Sequence, residues 1–138
     1  MKCVVTGGKG FIGRRVAAGL KQTGHDVKVV DIEGGGILNK TLLHYVLRDA
    51  DVVFHLGAVS GSPFFSKNPV KGVETNCVGT TILLEECRKM EVPQIVFSST
   101  MSSYAFCTLP HVEEGLTTVP NMYTATKLFG ENLMKLYQ

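Results

Sequence analysis

The sequence predicts an α/β fold in which a parallel sheet carries helices on both faces. Two observations support this fold class. Short apolar runs that suit buried strands alternate with segments whose apolar residues recur at helical spacing. Glycine, proline or small polar residues separate most of these segments, which is typical of connected βαβ units.

Four segments are predicted as strands because each is a short apolar run bounded by turn-forming residues. They cover residues 3–5, 27–30, 51–56 and 94–97. In a parallel sheet the carboxyl ends of all strands lie at one edge, and open α/β sheets bind their ligands there. Residues that follow these strands are therefore the first candidates for a functional site.

Four helices are predicted between and after these strands, and they cover residues 11–20, 37–47, 70–90 and 122–136. Gly24 stops the first helix, and Asn68-Pro69 precedes the third. A flexible loop is expected at residues 34–36, which are three consecutive glycines.

Composition favours one soluble domain over residues 1–138. Hydrophobic residues make up 44% of the chain and charged residues 19%, which suits one hydrophobic core. The net charge is +2, and the lysines and arginines are scattered. A solvated surface explains them better than a nucleic-acid patch, so no nucleic-acid partner is expected.

The chain carries no feature of an exported or membrane protein. No apolar run is long enough to span a bilayer, and the first strand follows Met1 too closely for a signal peptide. The four cysteines, Cys3, Cys77, Cys87 and Cys107, show no paired-ligand spacing. We therefore expect free thiols in a reducing compartment, no metal site, no membrane partner and a cytoplasmic protein.

Three glycines after the first strand have the spacing of a dinucleotide-binding loop. Gly7, Gly10 and Gly13 form Gly-x-x-Gly-x-x-Gly between a predicted strand and a predicted helix. One glycine allows a tight turn, one lets the backbone approach a pyrophosphate, and one lets the helix pack closely. The alternative is a glycine-rich turn that binds nothing. The strand–loop–helix context favours binding, and with it a Rossmann-type sheet.

An acidic residue at the end of the second strand indicates which dinucleotide is preferred. Asp31 lies about 20 residues beyond the loop, where a carboxylate accepts hydrogen bonds from both ribose hydroxyls. Its negative charge disfavours a 2′-phosphate, so NAD is expected over NADP. Lys9 is a counter-argument, because an ammonium group in the loop can attract that phosphate.

Tyr123 and Lys127 form a candidate catalytic pair. They are four residues apart on a predicted helix and so share one face. A free phenol has a pKa of about 10, and a nearby ammonium and a cationic nicotinamide would both favour its ionised form. Thr100, just beyond the fourth strand, can orient a substrate oxygen. The alternative for the pair, favoured when it is considered alone, is a surface contact on a helix.

Two further polar residues stand out. His55 ends the third strand, and a packed histidine is the better interpretation than an acid or a metal ligand. Asn76 lies inside the third helix, where it can bond either a loop or the cofactor; the spacing does not distinguish these two roles.

Taken together, these motifs resemble the NAD-dependent epimerase/dehydratase family, which belongs to the extended short-chain dehydrogenase/reductases and is typified by UDP-glucose 4-epimerase. The matching segments keep the family order and compatible spacings over essentially the whole chain. They are residues 6–13, 51–58, 76–80, 97–100 and 123–127.

The resemblance implies specific roles for the candidate residues. It implies that Tyr123 transfers a proton, that Lys127 favours the phenolate and binds ribose, and that Thr100 is the hydroxyl partner. It also implies NAD as cofactor, a nucleotide-sugar substrate and a homodimer built on the two long helices. The residues it implies near the cofactor are Gly7, Gly10, Phe11, Ile12, Gly13, Asp31, Leu56, Gly57, Ala58, Asn76, Tyr123 and Lys127.

The chain departs from the family pattern in two ways. Between Asp31 and Asp51 the family has another strand, which ends in an acid that helps to hold adenine; here that strand is missing. The chain also stops one helix after Tyr123, whereas the C-terminal half of family members completes the sheet and the nucleotide-sugar pocket. A fragment, a truncated paralogue and one half of an assembly all remain open.

These observations predict hydride transfer between a substrate carbon and nicotinamide C4, with Tyr123 moving the hydroxyl proton. The alternatives are a non-catalytic dinucleotide-binding or regulatory module, and an interaction protein that keeps only the fold. The Tyr123, Lys127 and Thr100 set favours the enzyme, and the length of the chain favours the alternatives.

Overall fold

The structure, a computed structural model, describes residues 1–113, 115 and 117–137. Its centre is a sheet of four parallel strands in the order β2-β1-β3-β4. The strands are β1 (Lys2–Thr6), β2 (Asp26–Val30), β3 (Val52–His55) and β4 (Ile95–Phe97). The predicted α/β fold is therefore confirmed, with strand ends within one or two residues of those expected.

The strand register brings four residues into one row at the carboxyl edge of the sheet. Thr6 pairs with Val30 on one side and with His55 on the other, and His55 pairs with Phe97. The segments that follow all four strands consequently begin next to one another, so residues distant in sequence meet at this edge.

The described residues form six α-helices around the sheet: α1 (Gly13–Gln22), α2 (Lys40–Leu47), α3 (Ser62–Lys67), α4 (Pro69–Val73), α5 (Gly79–Lys89) and α6 (Met122–Leu136). A π-helical segment, Glu74–Val78, joins α4 to α5, so the predicted third helix is one continuous run with a π turn inside it. The short α3 was not predicted.

Helices lie on both faces of the sheet because of its connections. The β1–β2 and β2–β3 connections cross the sheet in opposite directions, so right-handed crossovers put α1 and α2 on opposite faces. α2 packs against α5, and their side chains form the main core with those of the strands. The buried members of that core are Val4, Val30, Ile37, Leu43, Val46, Leu47, Ala50, Val53, Leu83 and Cys87.

The segment between β2 and α2 differs from the sequence prediction. Two 3₁₀ turns, Ile32–Gly34 and Gly36–Leu38, occupy the region expected to be a flexible loop and the start of a helix. Gly35 has a φ of 86°, which reverses the chain between the turns. α2 begins at Lys40 because the Asn39 side chain accepts a hydrogen bond from Leu42 N at 3.0 Å.

No strand forms between β2 and β3 in this fully described stretch, as predicted, so β2 is an edge of the sheet. Among the described residues, no helix is long and apolar enough to cross a membrane. The segment between β4 and α6 contains a 3₁₀ turn, Met101–Tyr104, and two of its residues, 114 and 116, lie outside the described part.

Candidate functional site

The glycine loop after β1 is held in place by backbone contacts. Gly7 has a φ of 65°, and its N–H donates to Val30 O at 2.8 Å. A Cβ atom at Gly7 would lie 2.7 Å from the Gly57 Cα atom, so no side chain fits between the loop and the segment after β3. Gly7 therefore provides both the tight turn and a close backbone approach.

The other two glycines of the motif have different surroundings. A Cβ atom at Gly13 would overlap the Gly7 carbonyl oxygen, so α1 can start this close to the loop because Gly13 has no side chain. At Gly10 the one nearby atom is Gly7 O, at 3.1 Å, and Gly10 lines a cavity. Apart from that oxygen and its own chain neighbours, a Cβ at Gly10 would meet no atom within 4 Å, so a side chain there would have open space at the cavity wall.

This cavity has a volume of about 600 Å³ and lies at the carboxyl edge of the sheet. Six of the predicted cofactor residues line it: Gly7, Gly10, Asp31, Leu56, Gly57 and Ala58. The two 3₁₀ turns close one end through Ile32, Ile37 and Leu38. The lining is mostly apolar, and among its described residues Asp31 is the one acid and Lys71 the one base.

The Asp31 carboxylate is oriented by two backbone donors. Oδ2 accepts from Lys9 N, and Oδ1 accepts from Ile32 N, each at 2.8 Å. The first bond ties the end of β2 to the glycine loop, and the second caps the following 3₁₀ turn. The carboxylate is thus held at the cavity wall by two backbone N–H donors.

Phe11 and Ile12 lie beside this cavity rather than in its lining. They are 72% and 58% exposed at the start of α1. The Arg15 guanidinium lies over the Phe11 ring, 4.4 Å from its centroid. Their side chains cover the outer side of the loop, whereas their backbone belongs to the amino end of α1.

Asn76 links two parts of the site from within the π segment. Its Oδ1 accepts from Val59 N at 2.8 Å, and its Nδ2 donates to Val59 O at 2.9 Å and to Thr126 Oγ1 at 3.0 Å. Thr126 in turn donates to Tyr123 O at 2.7 Å. Of the two roles that the sequence left open, these contacts support bonding to a loop, and they connect the segment after β3 to α6.

His55 is the centre of a buried polar network. Its Nδ1 lies 2.8 Å from Thr6 Oγ1, and its Nε2 lies 2.9 Å from Thr80 Oγ1. The Thr6 hydroxyl also accepts from Gly57 N at 3.0 Å. Burial and, secondarily, the Lys127 ammonium lower the pKa of His55 to about 3. A neutral, packed histidine therefore joins β1, β3 and α5 beneath the cavity, as the sequence suggested.

Lys127 is almost fully buried beside β4. Its Nζ atom lies 4.4 Å from the centroid of the Phe97 ring, a cation–π contact. Burial lowers the pKa of Lys127 to about 8, and the Glu131 carboxylate offsets part of that decrease. Glu131 itself accepts a short hydrogen bond from Ser99 Oγ. The amine therefore remains mainly charged at neutral pH but loses its proton in mild alkali.

Tyr123 and Thr100 lie on elements that adjoin Lys127. α6, which carries Tyr123, packs against β4 and against the 3₁₀ turn that Thr100 caps by accepting from Ser102 N at 3.2 Å. The Tyr123 ring packs against Phe65, with centroids 6.2 Å apart, and lines a second cavity of about 230 Å³. α3 lies between the cavities, because Phe64 lines the first and Phe65 the second.

Among the lining residues of the first cavity that sequence reasoning missed, three lie on helical segments: Phe64, Lys71 and Thr75. They come from α3, α4 and the π segment, which have no strong motif. Lys71 was one of many scattered lysines, and its position in the cavity lining depends on how the third crossover packs. No local pattern distinguished it.

Comparisons with known proteins agree with this geometry. The sequence model of the NAD dependent epimerase/dehydratase family matches residues 3–138. A UDP-N-acetyl-alpha-D-glucosaminuronate decarboxylase from Bacillus cytotoxicus is 32% identical over 131 residues, covering 82% of this chain and 40% of that protein. A UDP-glucose 4-epimerase from Halalkalibacterium halodurans is 32% identical over 150 residues, covering 96% of this chain and 45% of the relative.

Solved structures extend the similarity to three dimensions. The UDP-glucose 4-epimerase of Thermotoga maritima with UDP-glucose superposes with a TM-score of 0.91 at 27% identity, covering 99% of this chain and 51% of the other. The Brucella ovis UDP-glucose 4-epimerase in complex with NAD also has a TM-score of 0.91 at 27% identity, covering 99% and 47%. The chain thus spans about half the length of the proteins it matches.

The burial of His55 makes the free energy of unfolding depend on pH. The unfolded chain protonates this histidine near pH 6.5, whereas the folded chain resists protonation until about pH 3. The free energy of unfolding should therefore fall as the pH decreases through this window, by at most about 1.4 kcal/mol per pH unit from this group. Urea unfolding between pH 4 and 7.5 measures the slope.

Two variants isolate the contribution of His55. His55→Asn should be less stable at pH 7.5 and should lose this part of the slope, whereas His25→Asn, in the turn before β2, should keep it. Identical slopes in the wild type and His55→Asn would show that the network does not exclude the proton.

Proposed function

Because the chain belongs to the NAD dependent epimerase/dehydratase family, we propose that its 600 Å³ cavity binds NAD. The observation that carries this proposal is that Gly10 and the Asp31 carboxylate line the same cavity at the carboxyl edge of the sheet. Open backbone suits a pyrophosphate, and an oriented carboxylate suits ribose hydroxyls.

The amino end of α1 supports a pyrophosphate next to Gly10. No side chain of the described residues caps this end, and its first turn contains no acid. The N–H groups of Arg14 and Arg15 donate to the carbonyl oxygens of Gly10 and Ile12. The support for a phosphate at this end therefore comes from the helix dipole, which favours negative charge there. Lys71, which also lines the cavity, adds a positive charge.

We extend the proposal to the family's chemistry on a nucleotide sugar. NAD supplies the hydride acceptor when bound. Tyr123 would exchange the proton of the reacting hydroxyl, with Thr100 as a second hydroxyl partner. Below about pH 8 Lys127 carries its proton, and it lies four residues after Tyr123 on α6. The UDP-glucose bound to the Thermotoga maritima epimerase supports this class of substrate.

A non-catalytic dinucleotide-binding module is the second candidate. It is favoured by the chain's coverage of about half of its relatives. Substrate positioning supplies much of the rate of an enzyme. We therefore expect weak or undetectable turnover from residues 1–138 alone, and cofactor binding is the sharper test.

Gly10→Val tests the cofactor cavity. The new side chain would project into the cavity where phosphate must approach, and should lower NAD affinity by about tenfold or more without unfolding the protein. Gly19→Val is the matched control, because no atom lies within 4 Å of a Cβ at that helical position. Calorimetric titration measures both. Equal NAD affinity in the two variants would exclude this cavity as the site.

Lys127→Met tests the catalytic pair. It keeps an apolar stem and removes the ammonium, so NAD affinity should fall roughly tenfold, the scale of one charge-assisted hydrogen bond. The difference in NAD affinity between the wild type and Lys127→Met should shrink as the pH rises through about 8, because Lys127 of the wild type then loses its proton. Lys135→Met, on the same helix, and Tyr123→Phe should each keep near-normal affinity. Wild-type affinity in Lys127→Met would reduce the pair to a structural contact.

We also propose that the chain forms a homodimer through α6. Met122, Phe129 and Leu136 are exposed at intervals of seven residues, so they form one apolar stripe along this helix. In the dimer, the α6 helices of the two copies would pack against each other and bury this stripe. The neighbouring helix that begins at Pro69 would also contribute to the interface.

Sedimentation should find a dimer at micromolar concentration, and Phe129→Glu should dissociate it, whereas Lys135→Glu should not. A monomeric wild type would contradict the proposal.

A further inference from the structure

Two opposite charges meet beside Asp31, which lines the cavity. The Lys9 ammonium, in the glycine loop, forms an ion pair with the Glu33 carboxylate, in the 3₁₀ turn after Asp31. The Lys9 backbone N–H donates to Asp31 Oδ2 at 2.8 Å. One residue is therefore bound to both acids, through its backbone to Asp31 and through its side chain to Glu33.

The 3₁₀ turn brings Glu33 to this position. The turn begins at Ile32, whose N–H donates to Asp31 Oδ1, the carboxylate oxygen that Lys9 N does not contact. Gly34 N then donates to Asp31 O at 3.1 Å, so the turn stays folded against the end of β2. Lys9 and Glu33 are 24 residues apart in sequence, and they meet because the glycine loop and this turn are both hydrogen-bonded to Asp31.

The charges around Asp31 affect how strongly a 2′-phosphate on a bound dinucleotide is attracted or repelled. If Asp31 accepts the ribose hydroxyls, a 2′-phosphate must lie among Asp31, Lys9 and Glu33. These three groups sum to one negative charge, which repels the phosphate. Without Glu33 they would sum to zero, and the Lys9 ammonium would have no competing carboxylate in this turn.

We propose that Glu33 is a specificity-determining residue that disfavours 2′-phosphorylated dinucleotides by pairing with Lys9. The inference rests on the proposed NAD site and names the group that decides between the two cofactors. Lys9 favours NADP when its charge is available, and Glu33 removes that advantage. Both side chains are more than half exposed, so the pair contributes little to folding and acts mainly on the ligand.

A four-protein comparison tests this role. The proteins are the wild type, Glu33→Gln, Lys9→Gln and the double variant, and calorimetry gives the affinity of each for NAD and NADP. Glu33→Gln should bind NADP roughly three- to tenfold more tightly, the range expected for one exposed charge contact. Its NAD affinity should stay within about twofold of the wild type, because NAD has no 2′-phosphate.

The double variant shows whether the effect passes through Lys9. Adding Lys9→Gln to Glu33→Gln should abolish the gain in NADP affinity, and raising the salt concentration should weaken the gain, because both groups are exposed. Glu91→Gln, far from the cavity in the turn after α5, makes the same change in net charge and should leave both affinities unchanged.

The outcomes separate this inference from the proposed function. If the wild type binds NAD but Glu33→Gln gains nothing for NADP, Glu33 has no such role while the NAD site stands. Glu33 likewise has no such role if the double variant keeps the gain, or if Glu91→Gln produces an equal one. If the wild type binds neither dinucleotide, the proposed function itself is overturned.

Discussion

The close approach of two backbone segments, at Gly7 and Gly57, is the constraint on which the rest of the site depends. A side chain at Gly7 would collide with the Gly57 backbone, and the Thr6 hydroxyl accepts the Gly57 N–H. β1 and β3 are adjacent parallel strands, so their following loops can pack together where neither has a bulky group. His55 then satisfies the buried hydroxyl from the same edge, and the cavity opens above these contacts.

Buried hydrogen bonds connect the segment after β3 to α6, the helix that carries Tyr123 and Lys127. Asn76 bonds both polar groups of the Val59 backbone and also Thr126, so α6 is tied to the segment after β3. Lys127, on the same helix, is buried against Phe97 and close enough to disfavour protonation of His55. A change in the charge of either residue is thus felt by the other, because both lie away from water.

The segment between β2 and α2 contributes directly to the cavity. Its two 3₁₀ turns supply the apolar residues Ile32, Ile37 and Leu38 to the lining, and the first of them brings Glu33 to Lys9. The sequence analysis named Lys9 as a group that can attract the 2′-phosphate of NADP. In the structure its ammonium group is paired with the Glu33 carboxylate. The proposed preference for NAD then depends on a balance of exposed charges, which ionic strength can shift.

Local patterns in the sequence determined the four strands, the four long helical segments and the spacing of Gly7, Gly10 and Gly13, because each depends on residues near one another in the chain. They also determined that Tyr123 and Lys127 share one helix. The tertiary structure alone decided that Asn76 bonds Val59 and Thr126, that Phe64 and Phe65 of α3 line two different cavities, and that Lys9 pairs with Glu33. Each of these depends on contacts between elements distant in sequence, and no local periodicity specifies which side chains a crossover brings together.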